Sequence, residues 1–181
     1  MKTACPGSAI LITKQSRIIY QECSGLANLA KKTPITPKTN FRLASLTKPF
    51  TAMAISYLKE KGQLEYTDNI NKFFPDFPAW GQVTTIQQLL THSAGFHDHE
   101  QTLYQTIKPG YLPNIYDALK IFKQKLPLFQ PGSRYQYSDA GYVMLALIIE
   151  KVSGQKYSDF LRINIFKPLG MKTTLVVDNP K

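Results

Sequence analysis

The stretch FRLASLTKPF, residues 41–50, places Lys48 three residues after Ser45, where a helix is predicted to begin. The apolar residues after it recur at the spacing of one helix face, and Gly62 marks the predicted end. The amino end of a helix carries partial positive charge and disfavours a cation. Lys48 is therefore either exposed to water or held where its pKa falls.

The spacing of Ser45 and Lys48 has two interpretations. Residues three apart share a helix face, and a serine hydroxyl is a weak nucleophile until a base takes its proton. Burial and a helix amino end both lower the pKa of a lysine, so Lys48 is a candidate base. The alternative is an N-cap serine followed by an exposed lysine. On the four-residue pattern alone this alternative is favoured, because the pattern is common by chance.

The rest of the sequence predicts an α+β chain. Two short β-rich runs, residues 9–13 and 17–23, flank a polar turn and predict a hairpin. Residues 24–40 contain two prolines and predict a loop. Helices follow almost to the end of the sequence, with no internal repeat and no linker. The predicted sheet is therefore small relative to the helical part, and a hairpin alone is barely stable.

Four helices are predicted after the one that contains Lys48. The first begins at Thr84 or Thr85 as its cap, and the second covers residues 114–126. The segment YVMLALIIEKVSG, residues 142–154, is apolar nearly all round and predicts a buried helix. The last predicted helix covers residues 156–167 and ends before a proline.

Length and composition place the chain among globular proteins. Its 181 residues suit one domain, and 43% hydrophobic against 19% charged residues allow a real core. No apolar run approaches the roughly 20 residues that span a bilayer, and the first 15 residues lack the pattern of a signal peptide. Neither the compartment nor the oligomeric state follows from the sequence.

The formal net charge of +10 suggests nucleic-acid binding as a possible function. The basic residues are mostly lysines, and the only adjacent pair is Lys31 and Lys32. Phosphate and base recognition favours arginine, and no nucleic-acid-binding motif accompanies these lysines. We therefore expect a solvated surface and no nucleic-acid partner.

Cysteine and histidine usage does not indicate a metal site. Cys5 and Cys23 fit one disulfide or two free thiols equally well. The segment FHDHE contains His97 and His99, but further ligands at a recognised spacing are absent. An exposed polar loop is the favoured interpretation of this segment.

The context of the Ser-Lys pair identifies a family. Residues 41–75, FRLASLTKPFTAMAISYLKEKGQLEYTDNINKFFP, resemble the first helix and following loop of class C β-lactamase-like serine hydrolases and penicillin-binding proteins. The segments TTIQQLLTHSAGF, FQPGSRYQYSDAGYVMLALIIEKVSG and IFKPLGM resemble later parts of that family in the same order. The resemblance implies a β-lactamase/DD-peptidase-like fold over nearly the whole chain.

The resemblance also implies roles for four residues. Ser45 would be the nucleophile and Lys48 its partner, and the second family motif, Tyr-x-Asn, falls on Tyr137, Ser138 and Asp139. Tyr137 would relay protons; without the family, a half-buried aromatic residue would be the simpler interpretation. Asp139 would contact substrate, but an ionised aspartate accepts hydrogen bonds and cannot donate one to a substrate carbonyl. Its carboxylate would also favour the charged form of Lys48, and an ordinary helix cap is its alternative role.

The third family motif, Lys or His followed by Ser or Thr and Gly, is absent from the sequence. The resemblance implies that this motif lies on a strand that supplies one of two oxyanion donors, the other being the Ser45 N–H. We therefore expect a single β-lactamase-related domain over residues 1–181 without its C-terminal strands. Residues 1–40 would form a sheet hairpin and loop, and residues 41–181 a mainly helical part.

The sequence thus predicts a serine hydrolase that forms an acyl-enzyme on an ester, amide, D-amino-acid peptide or β-lactam. The resemblance implies no metal and no organic cofactor, and many relatives are periplasmic or secreted. The alternative on the same fold is an impaired, acyl-binding pseudoenzyme, because acylation without a full oxyanion hole is slow. A basic nucleic-acid-binding protein is the second alternative.

Overall fold

A computed structural model describes residues 5–97 and 115–177, and the chain divides into two compact units, Met1–Arg42 and Leu43–Lys181. Within the described residues, all strands lie in the first unit and all helices lie in the second. The predicted α+β class is confirmed.

The first unit is built on an antiparallel hairpin of strands β1 (Ser8–Lys14) and β2 (Arg17–Ser24), as predicted. The two turn residues between the strands, Gln15 and Ser16, have φ of 47° and 61°. Two consecutive positive φ angles define the tight turn whose twist matches a hairpin. The ladder shifts register between residues 12 and 13 of β1.

A second antiparallel pair, β3 (Leu26–Asn28) and β4 (Thr33–Pro34), lies in the segment that was predicted to be a loop. That prediction is wrong for these residues. Gly25, with φ of 72°, turns the chain so that the Leu26 N–H bonds the Cys5 carbonyl at 3.1 Å. Strands of three and two residues are too short to show the alternation that predicts a strand, so the sequence did not reveal this pair.

The second unit contains the predicted helices and one short helix, Ile70–Phe73, that was not predicted. In chain order they are α1 (Lys48–Glu60), α2 (Ile70–Phe73), α3 (Ile86–Leu90), α4 (Ile115–Gln124), α5 (Asp139–Ser153) and α6 (Tyr157–Leu161). The last helix is shorter than predicted, because a single π-helical turn, Arg162–Phe166, follows α6 directly. Within the two described ranges, no helix is long and apolar enough to cross a membrane.

Helix α5 is the centre of the helical unit. It packs against α1, α3, α4 and α6, and it contributes eight buried residues to the core. Gly141 lies against Leu89 of α3, where a Cβ would be in van der Waals contact with the Leu89 carbonyl oxygen, 3.4 Å away. Gly154, with φ of 68°, ends the helix in the left-handed conformation. The apolar run of the sequence is therefore the buried helix that was predicted.

Local caps fix where two helices begin. Thr85 caps α3 through a capping box in which its side chain accepts the Gln88 N–H and the Gln88 side chain accepts the Thr85 N–H. Ser138 caps α5, because its Oγ accepts the Gly141 N–H at 3.3 Å. The alternative role of Asp139 as the cap is thus wrong. Asp139 is the first residue of the helix.

Candidate active site

The start of α1 presents Ser45 and Lys48 on neighbouring turns. Ser45 lies in a 3₁₀ turn, Ala44–Thr47, that runs into α1 at Lys48. Ala44, directly before Ser45, has φ of 47°, in the left-handed region. A residue with a Cβ costs about 1–2 kcal/mol in that conformation. The backbone before Ser45 is therefore strained.

The amino end of α5 brings the second pair of predicted residues to the same place. Tyr137 precedes the cap and Asp139 follows it, so the two side chains flank Ser138. The Tyr137 hydroxyl lies 2.7 Å from Ser45 Oγ, and it donates a hydrogen bond of 3.2 Å to Asp139 Oδ1. The structure thus brings together all four residues singled out in the sequence.

Lys48 Nζ lies among three oxygen atoms from these residues. It donates to Ser45 Oγ at 3.2 Å, to the Tyr137 hydroxyl at 2.6 Å, and to Asp139 Oδ1, with which it also forms an ion pair. A lysine ammonium has three N–H donors and no acceptor. The three oxygens match these donors one for one, which is the arrangement of a protonated lysine.

The pKa of Lys48 is under opposing influences, as the sequence indicated. Its partial burial lowers its pKa, but hydrogen bonds and charge interactions with Asp139 and Tyr137 raise it more. The net pKa shift is upward from the ordinary value of 10.5. Burial has the largest single effect on this pKa, but the raising effects of Asp139 and Tyr137 together exceed it.

Aromatic rings surround the ammonium group. Lys48 Nζ lies 4.7 Å from the Tyr137 ring centroid and 5.5 Å from that of Tyr142. Such contacts add a cation–π attraction to the ion pair. Only 13% of the Lys48 side chain is exposed, whereas Ser45 is open to solvent. The hydroxyl is thus accessible while the cation next to it is largely covered.

His92 was not assigned a role in the sequence, although it lies within the segment that resembles the family. It follows α3, and its imidazole Nδ1 accepts the backbone N–H of Ser138 at 3.2 Å. Its ring lies against that of Tyr137, with centroids 4.6 Å apart and planes tilted by 32°. Burial and the positive charge of Lys48 lower the pKa of His92. The available signal was its position in the segment TTIQQLLTHSAGF, which resembles the family.

Other residues considered in the sequence do not join this group. Cys5 and Cys23 are both free thiols. His97 is described, but Asp98, His99 and Glu100 lie outside the described residues. Among residues 5–97 and 115–177, no three His, Cys, Asp or Glu side chains gather as metal ligands would.

Comparison with known proteins gives a consistent result. The family described as Beta-lactamase matches residues 1–180. Penicillin-binding protein 4* of Bacillus subtilis is 37% identical over 169 residues, which cover 92% of this chain and 37% of that protein.

Two solved structures are also similar to this chain. The octameric penicillin-binding protein homologue of Pyrococcus abyssi superposes with a TM-score of 0.80 at 34% identity, covering 92% of this chain and 39% of that one. The D-amino acid amidase of Ochrobactrum anthropi has a TM-score of 0.81 at 30% identity, covering 97% of this chain and 48% of that one. The described helices and hairpin therefore have the fold of β-lactamases and penicillin-binding proteins.

The chain spans between about a third and a half of the length of these relatives. Within that span the likeness is continuous, and it includes the segments that carry Ser45, Lys48, Tyr137 and Asp139. The chain belongs to the β-lactamase family.

Proposed function

We propose that this chain carries the nucleophile and proton-transfer groups of a serine hydrolase that acts through a covalent acyl-enzyme. The observation that supports this most directly is the position of Ser45 Oγ, 2.7 Å from the Tyr137 hydroxyl and 3.2 Å from Lys48 Nζ. A serine hydroxyl with a proton acceptor within hydrogen-bond reach, itself oriented by further groups, is the arrangement of an activated nucleophile.

In the proposed acylation step, Ser45 Oγ forms a bond to the acyl carbon of the substrate and loses its proton to the Tyr137 oxygen. Tyr137 passes its own proton toward Asp139 Oδ1, which already accepts it in a hydrogen bond. Lys48 stays charged and stabilises the negative charge that develops on the oxygens around it. The protein groups thus hold one proton while the substrate bond breaks.

The same groups return that proton to the leaving group, which departs as an alcohol or an amine. A water molecule then attacks the acyl carbon, gives a proton to Tyr137, and releases the acid as Ser45 recovers its hydroxyl. No step in this scheme needs a metal or a redox cofactor. The sequence-based role of Lys48 as the base is replaced here by an electrostatic role, because its pKa is raised.

The substrate class follows from the same residues and from what the relatives are called. One similar structure is a D-amino acid amidase, so amides and esters of small carboxylic acids are the proposed substrates. Asp139 is committed to Lys48 and has no donor for a substrate carbonyl. We therefore expect Asp139→Asn to raise the rate on β-lactams relative to the rate on simple esters. An unchanged ratio would contradict this role of Asp139.

The proposal is tested by covalent labelling. A fluorophosphonate probe should modify the protein at Ser45, and peptide mass spectrometry should place the adduct there. Ser45→Ala should abolish the labelling. Ser56→Ala is the matched control, because Ser56 also lies on the first helical segment but its Oγ bonds the Tyr66 hydroxyl. Labelling that survives Ser45→Ala, or that falls equally in both variants, would contradict the assignment.

A second candidate function is an acyl-binding protein that is labelled but turns over slowly. The ion pair between Lys48 and Asp139 favours this candidate, since it restrains both groups in one charge state. The two candidates differ after labelling. An ester substrate that gives a stoichiometric burst and no steady turnover would favour the binding protein, whereas continued product release would favour the hydrolase.

A further inference from the structure

Tyr137 is held on both sides by a single residue from another segment. The Gln136 N–H bonds the backbone carbonyl of His92 at 2.8 Å, and the Ser138 N–H bonds Nδ1 of the same His92 at 3.2 Å. Tyr137 lies between these two anchors in the chain. One residue thus fixes the backbone immediately before and immediately after the proposed proton acceptor.

The His92 ring adds a third contact with this segment. It packs against the rings of Tyr137 and Tyr142, whose centroids lie 4.6 Å and 5.1 Å from that of the imidazole. Tyr142 is itself anchored, since its hydroxyl donates to the Leu90 carbonyl at 3.1 Å. The imidazole is therefore packed between two tyrosines, and the turn after α3 holds both of them.

The backbone of His92 shows that this placement is specific. His92 has φ of 56°, a left-handed conformation that is uncommon for a residue with a side chain. That conformation turns the chain after α3 so that both the carbonyl and the ring of His92 face residues 136–138. Strain of this kind persists only when the surroundings stabilise it.

We propose that His92 is a positioning residue that fixes the Tyr137 hydroxyl beside Ser45 and Lys48, acting as a neutral imidazole whose Nδ1 accepts the Ser138 N–H. This role rests on the proposed function for its effect on rate, but not for its effect on structure. A neutral imidazole has one donor and one acceptor nitrogen, so acceptance at Nδ1 requires the proton to be on Nε2.

The proposal makes the site sensitive to acid. Protonation of Nδ1 would turn the acceptor into a donor, and two donors would then face each other at Ser138. The charged and titratable groups around the ring are Lys48 from α1, Tyr135 and Tyr137 from the segment before α5, and Asp139 and Tyr142 from α5. We expect labelling of Ser45 to slow in acid, at a pH below the ordinary histidine pKa of 6.5, because burial and the charge of Lys48 lower the pKa of His92.

Two substitutions separate the acceptor from the ring. His92→Phe keeps a ring between the tyrosines but leaves the Ser138 N–H without its acceptor. His92→Asn loses the ring but keeps an oxygen at the position of Nδ1, and asparagine tolerates positive φ better than most residues. Thr91→Ala is the matched control, since Thr91 lies on the same turn and its hydroxyl bonds Gln87 and Ser93 instead.

We expect His92→Phe to slow fluorophosphonate labelling of Ser45 by about tenfold or more, the size of one lost buried hydrogen bond. His92→Asn should be labelled within about threefold of the wild-type rate, and its labelling should no longer slow in acid. Thr91→Ala should change neither the labelling rate nor its dependence on pH. Wild-type labelling in His92→Phe, or an unaltered acid profile in His92→Asn, would overturn the proposal.

A structural readout makes the test independent of activity. Nitrogen NMR of the imidazole should show His92 with its proton on Nε2, and the Ser138 amide should exchange slowly in the wild type and in His92→Asn but faster in His92→Phe. A wild-type protein that shows these signals but is not labelled would contradict the proposed function and leave the anchoring role intact. A proton on Nδ1, or equal exchange of Ser138 in all variants, would overturn the anchoring role.

Discussion

The hairpin unit and the helical unit have equally clear sequence patterns but very different interiors. Strands β1 and β2 expose large apolar side chains on both faces, from 45% for Tyr20 to 60% for Leu11. Of the buried apolar side chains in the described residues, Ile35 alone belongs to the hairpin unit, whereas α5 contributes seven. The comparison teaches that a local pattern is enough to form a hairpin, but that a core requires partners distant in sequence.

The proposed site lies entirely within the helical unit. Ser45 and Lys48 come from the start of α1, and Tyr137 and Asp139 come from the start of α5. Since these two helices pack directly against each other, the geometry of the site depends on the same core that stabilises the unit. Changes in the helical unit should therefore alter both activity and stability, while changes in the hairpin should alter stability little.

The largest expected effect is at Lys48. Lys48→Met removes the charge that contacts Ser45 and Tyr137, and it should slow fluorophosphonate labelling by about 100-fold or more. Lys48→Arg keeps the charge and should fall between this variant and the wild type. Lys59→Met is the control. Lys59 lies on α1, as Lys48 does, but it pairs with Glu65 and with no residue of the proposed site. An arginine variant as slow as the methionine variant would contradict the electrostatic role and restore lysine as the base.

The next effect compares the two units directly. Ile148 in α5 is fully buried, whereas Ile19 in β2 is 60% exposed. Ile148→Ala should lower the free energy of unfolding by about 2–5 kcal/mol, and Ile19→Ala by less than about 1 kcal/mol. Urea denaturation of both variants would measure the difference. Equal losses would show that the hairpin surface is covered in solution.

A smaller effect is expected on the ionisation of Lys48. Asp139→Asn removes the carboxylate that raises the Lys48 pKa, so this pKa should fall. Carbon NMR of the lysine Cε, assigned by its loss in Lys48→Met, would follow the titration. Lys59 in the same spectrum should titrate as before. An unshifted Lys48 would show that the ion pair is not maintained in solution.

The same ion pair has a defined pH range for its contribution to stability. Because the folded-state pKa of Lys48 lies above its ordinary value of 10.5, its contribution is fully present below that value. The contribution is lost as the pH rises through the raised pKa. The difference in unfolding free energy between the wild type and Lys48→Met should therefore shrink in strongly alkaline solution.

The smallest effect is expected at a helix cap. Thr85→Ala removes both the acceptor for the Gln88 N–H and one half of the capping box of α3. The expected loss is about 1 kcal/mol in the free energy of unfolding. Thr13→Ala in the exposed strand β1 is the comparison, and it should change the urea midpoint less. A Thr85→Ala midpoint equal to that of the wild type would contradict a stabilising cap.

The sequence predicted the elements that depend on local pattern. The hairpin, the capped helix at Thr85 and the buried apolar helix all follow from periodicity and turn residues. It did not predict the pairing of β3 with β4, because strands of three and two residues are too short to show the alternation that predicts a strand. The π-helical turn after α6 also lacked a local signal.

In the candidate site, too, the sequence predicted some features and missed others. The spacing of Ser45 and Lys48 made them candidates, and the family resemblance assigned roles to them and to Tyr137 and Asp139. The raising effect of Asp139 on the Lys48 pKa was expected from the resemblance, but its balance against burial was not predictable, because it depends on the distance to a carboxylate 91 residues away in the sequence. His92 was missed for a similar reason, since its importance lies in two hydrogen bonds to another segment.

The left-handed backbone at Ala44 and His92 has a consequence for sequence variation. Both residues carry a Cβ at φ near 50°. Ala44 directly precedes Ser45, and the His92 ring packs against that of Tyr137. Valine, isoleucine and threonine are strongly disfavoured at such positions, whereas glycine and asparagine are accepted. Few amino-acid types should therefore be tolerated at residues 44 and 92, in natural variants or in laboratory libraries, even though neither residue supplies an atom to the proposed reaction.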